Sequence, residues 1–271
     1  MLIQANAKLN LSFKILGKPP GGYHWIESVM QSIDLADFLC FEKAKKTYLT
    51  GSILCEKENQ LILKAKRILE KASGRELPCQ IHLQKSIPIS AGLGGGSCNA
   101  AATLVALNKL YNLNFSREKL KKLAIKIGSD VPFFLYGGRC KVEGIGEKIT
   151  PIKKLQSIKN KCSSTSNFYV VARPHKRIET KMMYELYSKT GKSFLKLAQE
   201  ICPDVEKVYN LFKKFEPKEL NLSGSGPTVF CGVENYKSTQ NIVKELGNFN
   251  GDIFICRPQN CSLIVLDSGS Q

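Results

Sequence analysis

Between Pro88 and Asn99 the chain reads PISAGLGGGSCN, with four glycines in five residues running without a break into a stretch of helical periodicity. Ala100, Leu104, Leu107 and Tyr111 follow at i, i+4, i+7 and i+11, which predicts a helix over Ser97–Tyr111. Glycine lets the backbone pass close to a ligand. A loop that opens straight into a helix leaves N–H groups and the positive end of the helix dipole facing whatever lies in it. A polyphosphate is the natural occupant. A merely flexible loop is the alternative, and four glycines fused to a well-patterned helix argue against it. Two familiar nucleotide motifs fail on detail. A dinucleotide fingerprint starting at Gly92 requires glycine or alanine where Ser97 stands. Gly191-Lys192-Ser193 ends like a P-loop, but Leu186 occupies the position of its first glycine.

A second glycine-rich element, NLSGSGPTVF over Asn221–Phe230, places Gly224, Ser225 and Gly226 just before a predicted strand. Alone it reads as a tight turn; beside the first loop it gains weight as a second wall around a phosphate. GSDVPFF at Gly128–Phe134 sets one acid, Asp130, between a helix end and an apolar run. On the sequence it is either an N-cap or a chemically active carboxylate. Lys8 is an isolated cation in an otherwise uncharged strand, and charged groups are rarely buried unpaired. A partner for Lys8 is therefore expected, and Asp130 is a candidate.

Around these motifs, Ala7–Leu16, Phe38–Glu42 and Ile81–Lys85 read as strands and Asn59–Ala72 as a helix. Ser116 opens another helix as its N-cap, and Gly128 ends it. A polar, lysine- and serine-rich stretch over Ile152–Asn167 marks a domain boundary, dividing the chain into 1–152 and 153–271. Beyond it the pattern is strand (Phe168–Ala172), helix (Thr180–Lys189), helix (Asp204–Phe215), strand (Thr228–Val233), helix (Ser238–Leu246) and strand (Ile253–Arg257), a small α+β layer.

Composition excludes several classes. At 271 residues, 43% hydrophobic and 23% charged, the chain is long enough for one large or two ordinary cores and is not disordered as a whole. Its longest charge-free stretch, Ser86–Asn108, is broken by Pro88 and glycines and cannot span a bilayer. Lys8 and the polar residues around it argue against a signal peptide, so a cytoplasmic location and no membrane partner are expected. The net charge of +17 raises nucleic acid or an anionic substrate, but the excess is spread along the chain without a basic tail. A lysine-rich solvated surface and a phosphate-bearing small substrate account for it, with no nucleic-acid partner. Ten cysteines without a C-x-x-C and three scattered histidines support neither zinc nor disulfides; reduced, mostly buried thiols are expected.

Taken in order, the motifs resemble the GHMP small-molecule kinases. Pro88–Asn99 matches the superfamily's P-x-x-x-G-L-G loop, and NLSGSGPTVF is similar to its C-terminal glycine motif. AKLNLSFKILGKPPGGYH from Ala7, GSDVPFFL, and G-x-G-E at Gly144–Glu147 carry the likeness along most of the chain, from Ala7 to about Phe230. The resemblance implies a two-domain α/β (α+β) fold with a ribosomal-protein-like N-terminal domain and a ferredoxin-like C-terminal one. It implies transfer of the γ-phosphoryl of ATP, with Mg2+, to the tertiary hydroxyl of a cytidine diphosphate derivative in isoprenoid biosynthesis, by a monomer or weak homodimer. Asp130 then serves as general base and Lys8 as its catalytic partner. The nucleotide falls on Pro88, Ile89, Ser90, Ala91, Gly92, Leu93, Gly94, Gly95, Gly96, Ser97 and Cys98, with Asn59, Lys85, Gly224 and Ser225. The acceptor falls on Asn10, Tyr23, His24, Thr180 and Tyr184. No metal ligands are assigned. The chain departs from the family in three places: Cys98 stands where a second serine is usual, Asn59-Gln60-Leu61 replaces Asn-Leu at the adenine pocket, and Gly191–Pro203 is short. Another GHMP kinase, or a non-catalytic basic RNA-binding protein, is the alternative.

Overall fold

The computed structural model describes residues 1–17, 24–51, 56–152 and 166–267. Its first sheet is built on two long strands, β1 (Leu2–Gly17) and β2 (Trp25–Lys43), paired antiparallel along almost their full length. The register shifts three times along this pair, and each shift bends and twists the ribbon. The strand expected at Phe38–Glu42 is thus the far end of a 19-residue strand. β3 (Tyr48–Gly51) runs parallel to β4 (Cys79–Gln84), which pairs the far half of β2. β5 (Arg139–Gly144) pairs the near half and carries β6 (Lys148–Pro151). In β4 the side chains alternate, Cys79, Ile81 and Leu83 buried against Gln80, His82 and Gln84 exposed, as a strand with one covered face requires.

Four helices cover that face: α1 (Glu56–Ser73), α2 (Gly95–Leu110), α3 (Arg117–Ala124) and the short α4 (Val131–Phe134). α2 is apolar on nearly every side because Ala100, Ala101, Ala102 and Ala106 let neighbours close around it. It begins at Gly95, two residues ahead of the sequence expectation, because Gly94 takes the left-handed φ of +75° that ends the loop.

The second sheet contains β7 (Phe168–Pro174), β8 (Glu219–Leu222), β9 (Val229–Val233) and β10 (Gly251–Cys256) in the order β10-β7-β9-β8. Between β7 and β8 come α5 (Thr180–Thr190), α6 (Phe194–Ile201) and α7 (Pro203–Lys213); α8 (Tyr236–Leu246) joins β9 to β10. This β-α-β-β-α-β order is ferredoxin-like. Along β7, Val170 and Ala172 face the helices while Tyr169 and Val171 face the first sheet. There they meet Ala7, Leu9, Ile33 and Phe230 in a core of their own, so the layers run helix, sheet, sheet, helix.

The domain division expected after residue 152 falls next to 153–165, outside the described residues. At the C-terminal end the structure differs from the expected 153–271 unit. β11 (Leu263–Asp267) leaves the second layer and pairs β1, where it covers the backbone groups of Leu2–Ala5 that an edge strand would leave open. Among the described residues no helix is long and apolar enough to cross a membrane.

Candidate active site

The two glycine loops meet at the seam between the layers. Lys8 sits on β1, and its backbone N–H donates to the Leu93 carbonyl at 3.0 Å, fixing the first loop to the strand. The Ser223 hydroxyl, at the start of the second loop, donates to the Gly92 carbonyl at 2.9 Å. Gly92 has φ +77°, and a Cβ there would collide with the Ser223 carbonyl oxygen, so only glycine allows this approach. At Gly94 a Cβ would lie 2.6 Å from the Phe134 ring and 3.1 Å from the Lys8 stem. The sequence expectation of two walls around one ligand corresponds to this contact.

Between them opens a cavity of about 670 Å³ lined by Lys8, Asn10, Asp130, the loop from Pro88 to Gly92 and from Gly94 to Ser97, and Gly224 and Ser225. Cys98 N–H already donates to the Gly94 carbonyl at 2.9 Å as the first bond of α2. The amides left without an intrahelical partner are therefore those of Gly95, Gly96 and Ser97. The Cys98 thiol is fully buried in the core, where burial and the nearby Asp37 charge push its pKa well up. Leu93 is likewise buried, so these two line the loop's underside rather than the cavity.

Lys8 and its candidate partner Asp130 come together: Lys8 Nζ lies 3.5 Å from Asp130 Oδ2, the lysine side chain 3% exposed and the aspartate 30%. Lys8 Nζ also donates to Asn10 Oδ1, and Asn10 Nδ2 donates to the Ser28 hydroxyl at 2.9 Å. Burial lowers the Lys8 pKa below the ordinary lysine value, against the opposing pull of Asp130. Asp130 precedes α4 but makes no side-chain capping bond, so the capping alternative has no hydrogen bond behind it. Its carboxylate is anchored by a cation and open to the cavity, a group able to accept a proton from a bound hydroxyl.

Lys85 is placed differently from the sequence expectation. Its side chain is 2% exposed and pairs with the fully buried Asp37 at 3.0 Å, beneath the loop rather than in the cavity lining. Asp37 Oδ1 accepts from the Ser86 and Ile87 amides, each at 2.8 Å, and Oδ2 accepts from Asn99 Nδ2 at 2.9 Å. This carboxylate, which sequence reasoning missed, joins the loop's entry to the first turn of α2. Asn59 lies on α1, outside the lining, while Leu61 lines the cavity; the buried Asn59 Oδ1 accepts no hydrogen bond.

The opposite wall comes from the second layer. Thr180, Tyr184 and Phe194 line it with Arg177, Glu179 and Lys181, and the Thr180 hydroxyl lies 2.8 Å from that of Ser225. Burial, helped by the Asp130 charge, raises the Tyr184 phenol pKa. Phe194 belongs to α6, within the segment that is short by the family pattern; it stacks on Phe13 of β1 at 5.4 Å and meets Tyr184 edge-on at 4.9 Å. Periodicity over eight residues was too brief to reveal that helix. Tyr23 lies outside the described residues. The His24 ring is not in the lining. It stacks on Tyr184 at 4.9 Å, with Nε2 3.3 Å from the Ser188 hydroxyl, so the two rings touch one another and leave no slot between them for a base.

The GHMP kinases N terminal domain family matches residues 60–138. A 4-diphosphocytidyl-2-C-methyl-D-erythritol kinase of Carboxydothermus hydrogenoformans is 38% identical, over 95% of this chain and 96% of that one. Another of that name, from Thermoanaerobacter pseudethanolicus, is 36% identical over 91% and 93%. Among solved structures, a 4-(cytidine 5'-diphospho)-2C-methyl-D-erythritol kinase superposes with a TM-score of 0.76 at 26% identity, covering 95% of this chain and 99% of that one. A homoserine kinase from Cytophaga hutchinsonii, 15% identical, shares the fold with a TM-score of 0.75 over 98% and 97%. By this identity over nearly its whole length, the chain belongs to the 4-diphosphocytidyl-2-C-methyl-D-erythritol kinase family of the GHMP kinases.

Proposed function

We propose that the chain phosphorylates the 2-hydroxyl of 4-diphosphocytidyl-2-C-methyl-D-erythritol with ATP, a step of isoprenoid biosynthesis by the non-mevalonate route. One observation carries the reading: the Lys8–Asp130 pair faces the free amides at the N-terminus of α2 across a single cavity. The nucleotide's β- and γ-phosphates rest against the amides of Gly95, Gly96 and Ser97, with the second loop at Gly224 and Ser225 closing the other side. Asp130 takes the proton as the acceptor oxygen forms its bond to the γ-phosphorus, and the bond to the β-phosphate oxygen breaks to release ADP. Lys8 offsets charge on the transferring group and holds Asp130 ionised.

Magnesium belongs with the nucleotide in this reading. Among the described residues no cluster of three acids, histidines or cysteines forms a resident site, which suits an ion held mainly by phosphate and water. Glu179 and Ser97 lie in the lining and would complete its shell, where it would neutralise phosphate charge. Cytosine packs on the aromatic surface built by Tyr184, Phe194 and His24. Since His24 and Tyr184 touch, the base either parts them or stacks on an outer face.

A coupled ADP-release assay with the cytidine compound, homoserine, mevalonate and galactose tests this. Turnover confined to the cytidine compound is expected. Comparable turnover of any other acceptor overturns the substrate assignment, and no ATP-dependent turnover of any of them overturns the kinase reading.

A further inference from the structure

The second glycine loop is the direct continuation of β8, and β8 is held against the first layer at every second residue. In a strand, positions i, i+2 and i+4 share a face, which here gives Glu219, Asn221 and Ser223. Glu219 Oε1 accepts from Arg139 Nη2 of β5 at 2.8 Å, with the two side chains 14% and 18% exposed. Its other oxygen accepts from the Tyr169 hydroxyl at 2.8 Å and the Ser166 hydroxyl at 2.7 Å. Arg139 Nε is spent on Gln31 Oε1 of β2 at 3.1 Å, so the guanidinium is oriented from the first sheet. Asn221 Nδ2 donates to the Leu11 carbonyl of β1 at 3.3 Å. Ser223 then reaches Gly92, about 13 Å along the strand from Glu219.

We infer that Arg139, Glu219 and Asn221 are positioning residues, which fix the register of β8 against the first sheet and thereby the place of the Gly224–Ser225 turn beside Lys8. None of the three lines the cavity. A slip of one residue would turn all three side chains to the helix-covered face and carry the turn off Gly92. A buried ion pair is a weak source of net stability, and setting register is its best-attested use. On the opposite face of β8, among the described residues, Leu220 and Leu222 make apolar contacts in the core shared with the helices. The inference rests on the kinase reading, in that the turn matters because it walls a nucleotide site.

The test uses the full chain and a non-hydrolysable ATP analogue, titrated calorimetrically, with ATP KM, kcat and thermal midpoint measured alongside. Asn221→Ala and Arg139→Gln are compared with Arg173→Ala, which breaks a 2.8 Å ion pair to Asp252 that lies within the second sheet and does not reach β8. Displacing the turn by about 1 Å costs on the order of 10- to 100-fold. The expected result is a loss of that size in analogue affinity and in kcat/KM for the first two. Arg173→Ala should lose thermal stability with its affinity unchanged. Wild-type affinity in both Asn221→Ala and Arg139→Gln overturns the inference while leaving the kinase reading intact. Failure of the unsubstituted chain to bind the analogue overturns both. Should Arg139→Gln fail to fold, the half-buried Asn221 decides by the same criterion.

Discussion

Replacing Lys85 with methionine separates the two places this lysine could occupy, at the nucleotide or beneath its loop. The structure puts it beneath. Methionine keeps the length and apolar bulk of the stem and removes the charge, leaving Asp37 fully buried with three neutral donors and no cation. Breaking a buried pair from one side costs about 3–5 kcal/mol. For a chain of 271 residues, 1 kcal/mol moves the midpoint by about 2 °C, so the expected fall is about 5–9 °C. Removing Asp37 as well, in Asp37→Leu/Lys85→Met, does not restore the midpoint. The leucine silences the stranded charge but leaves the Ser86 and Ile87 amides and the Asn99 side chain without an acceptor, each at about 1–3 kcal/mol. Thermal unfolding followed by circular dichroism, without nucleotide, measures both. Asp37 and Lys85 act through loop geometry, so ATP KM should rise only as far as the loop shifts. A Lys85→Met protein that melts like the unsubstituted chain and loses ATP affinity a hundredfold would refute this reasoning and put Lys85 on the nucleotide.

Asp130→Asn should cut turnover by about 10²–10⁴ with analogue affinity nearly unchanged and a smaller fall in midpoint than Lys85→Met, because Asp130 makes no capping bond, is partly open to solvent and leaves Lys8 with Asn10 as a partner; a large loss of stability with retained turnover would mark it as structural. The lowered Lys8 pKa places the alkaline limb of the kcat/KM profile below the ordinary lysine value of 10.5, since the charged form is lost earlier as pH rises; the same group costs stability at neutral pH and releases that cost as pH climbs past its folded pKa. A limb that stays put in Lys8→Arg would show that another group titrates there. Among the described thiols, Cys40 and Cys261 should react with a disulfide reagent in the native protein, while Cys79 and Cys140, pushed up to about 11, and Cys231, to about 12, should react only on unfolding. Prompt native labelling of Cys231 would contradict its burial.

The parts of the site that were legible in the sequence are those whose signal is local. A glycine loop fused to a helix declares itself within a dozen residues, and a lone lysine in an apolar strand demands a partner whatever the fold. The supports were not legible. Asp37 is one of two acids in SIDLADF, and its amide partners lie 49 and 50 residues further on. Arg139 and Glu219 are separated by 80 residues, with no spacing to connect them. β2 hid its length because the register shifts against β1 interrupt its alternation, so only the regular end at Phe38–Glu42 looked like a strand. β3, β6, β8 and β11 are four or five residues each, too short for a period to show, and their place depends on edges supplied from elsewhere. For His24 and Tyr184 the residues were legible and their arrangement was not, because ring stacking depends on how β1 and β2 meet α5.

The division of labour across the seam follows from this construction. Lys8, Asp130 and the α2 amides all belong to the first layer, and one core holds α2 and α4 against the sheet that bears Lys8. Their mutual geometry is therefore set mainly within the first layer. Thr180, Tyr184 and Phe194 belong to the second layer; Phe194 meets the first through its stack on Phe13, and Thr180 touches Ser225 of the second glycine loop within its own layer. On the proposed reading, a substitution that shifts the second layer thus alters the acceptor wall and the second wall of the nucleotide site more than the Lys8–Asp130 pair.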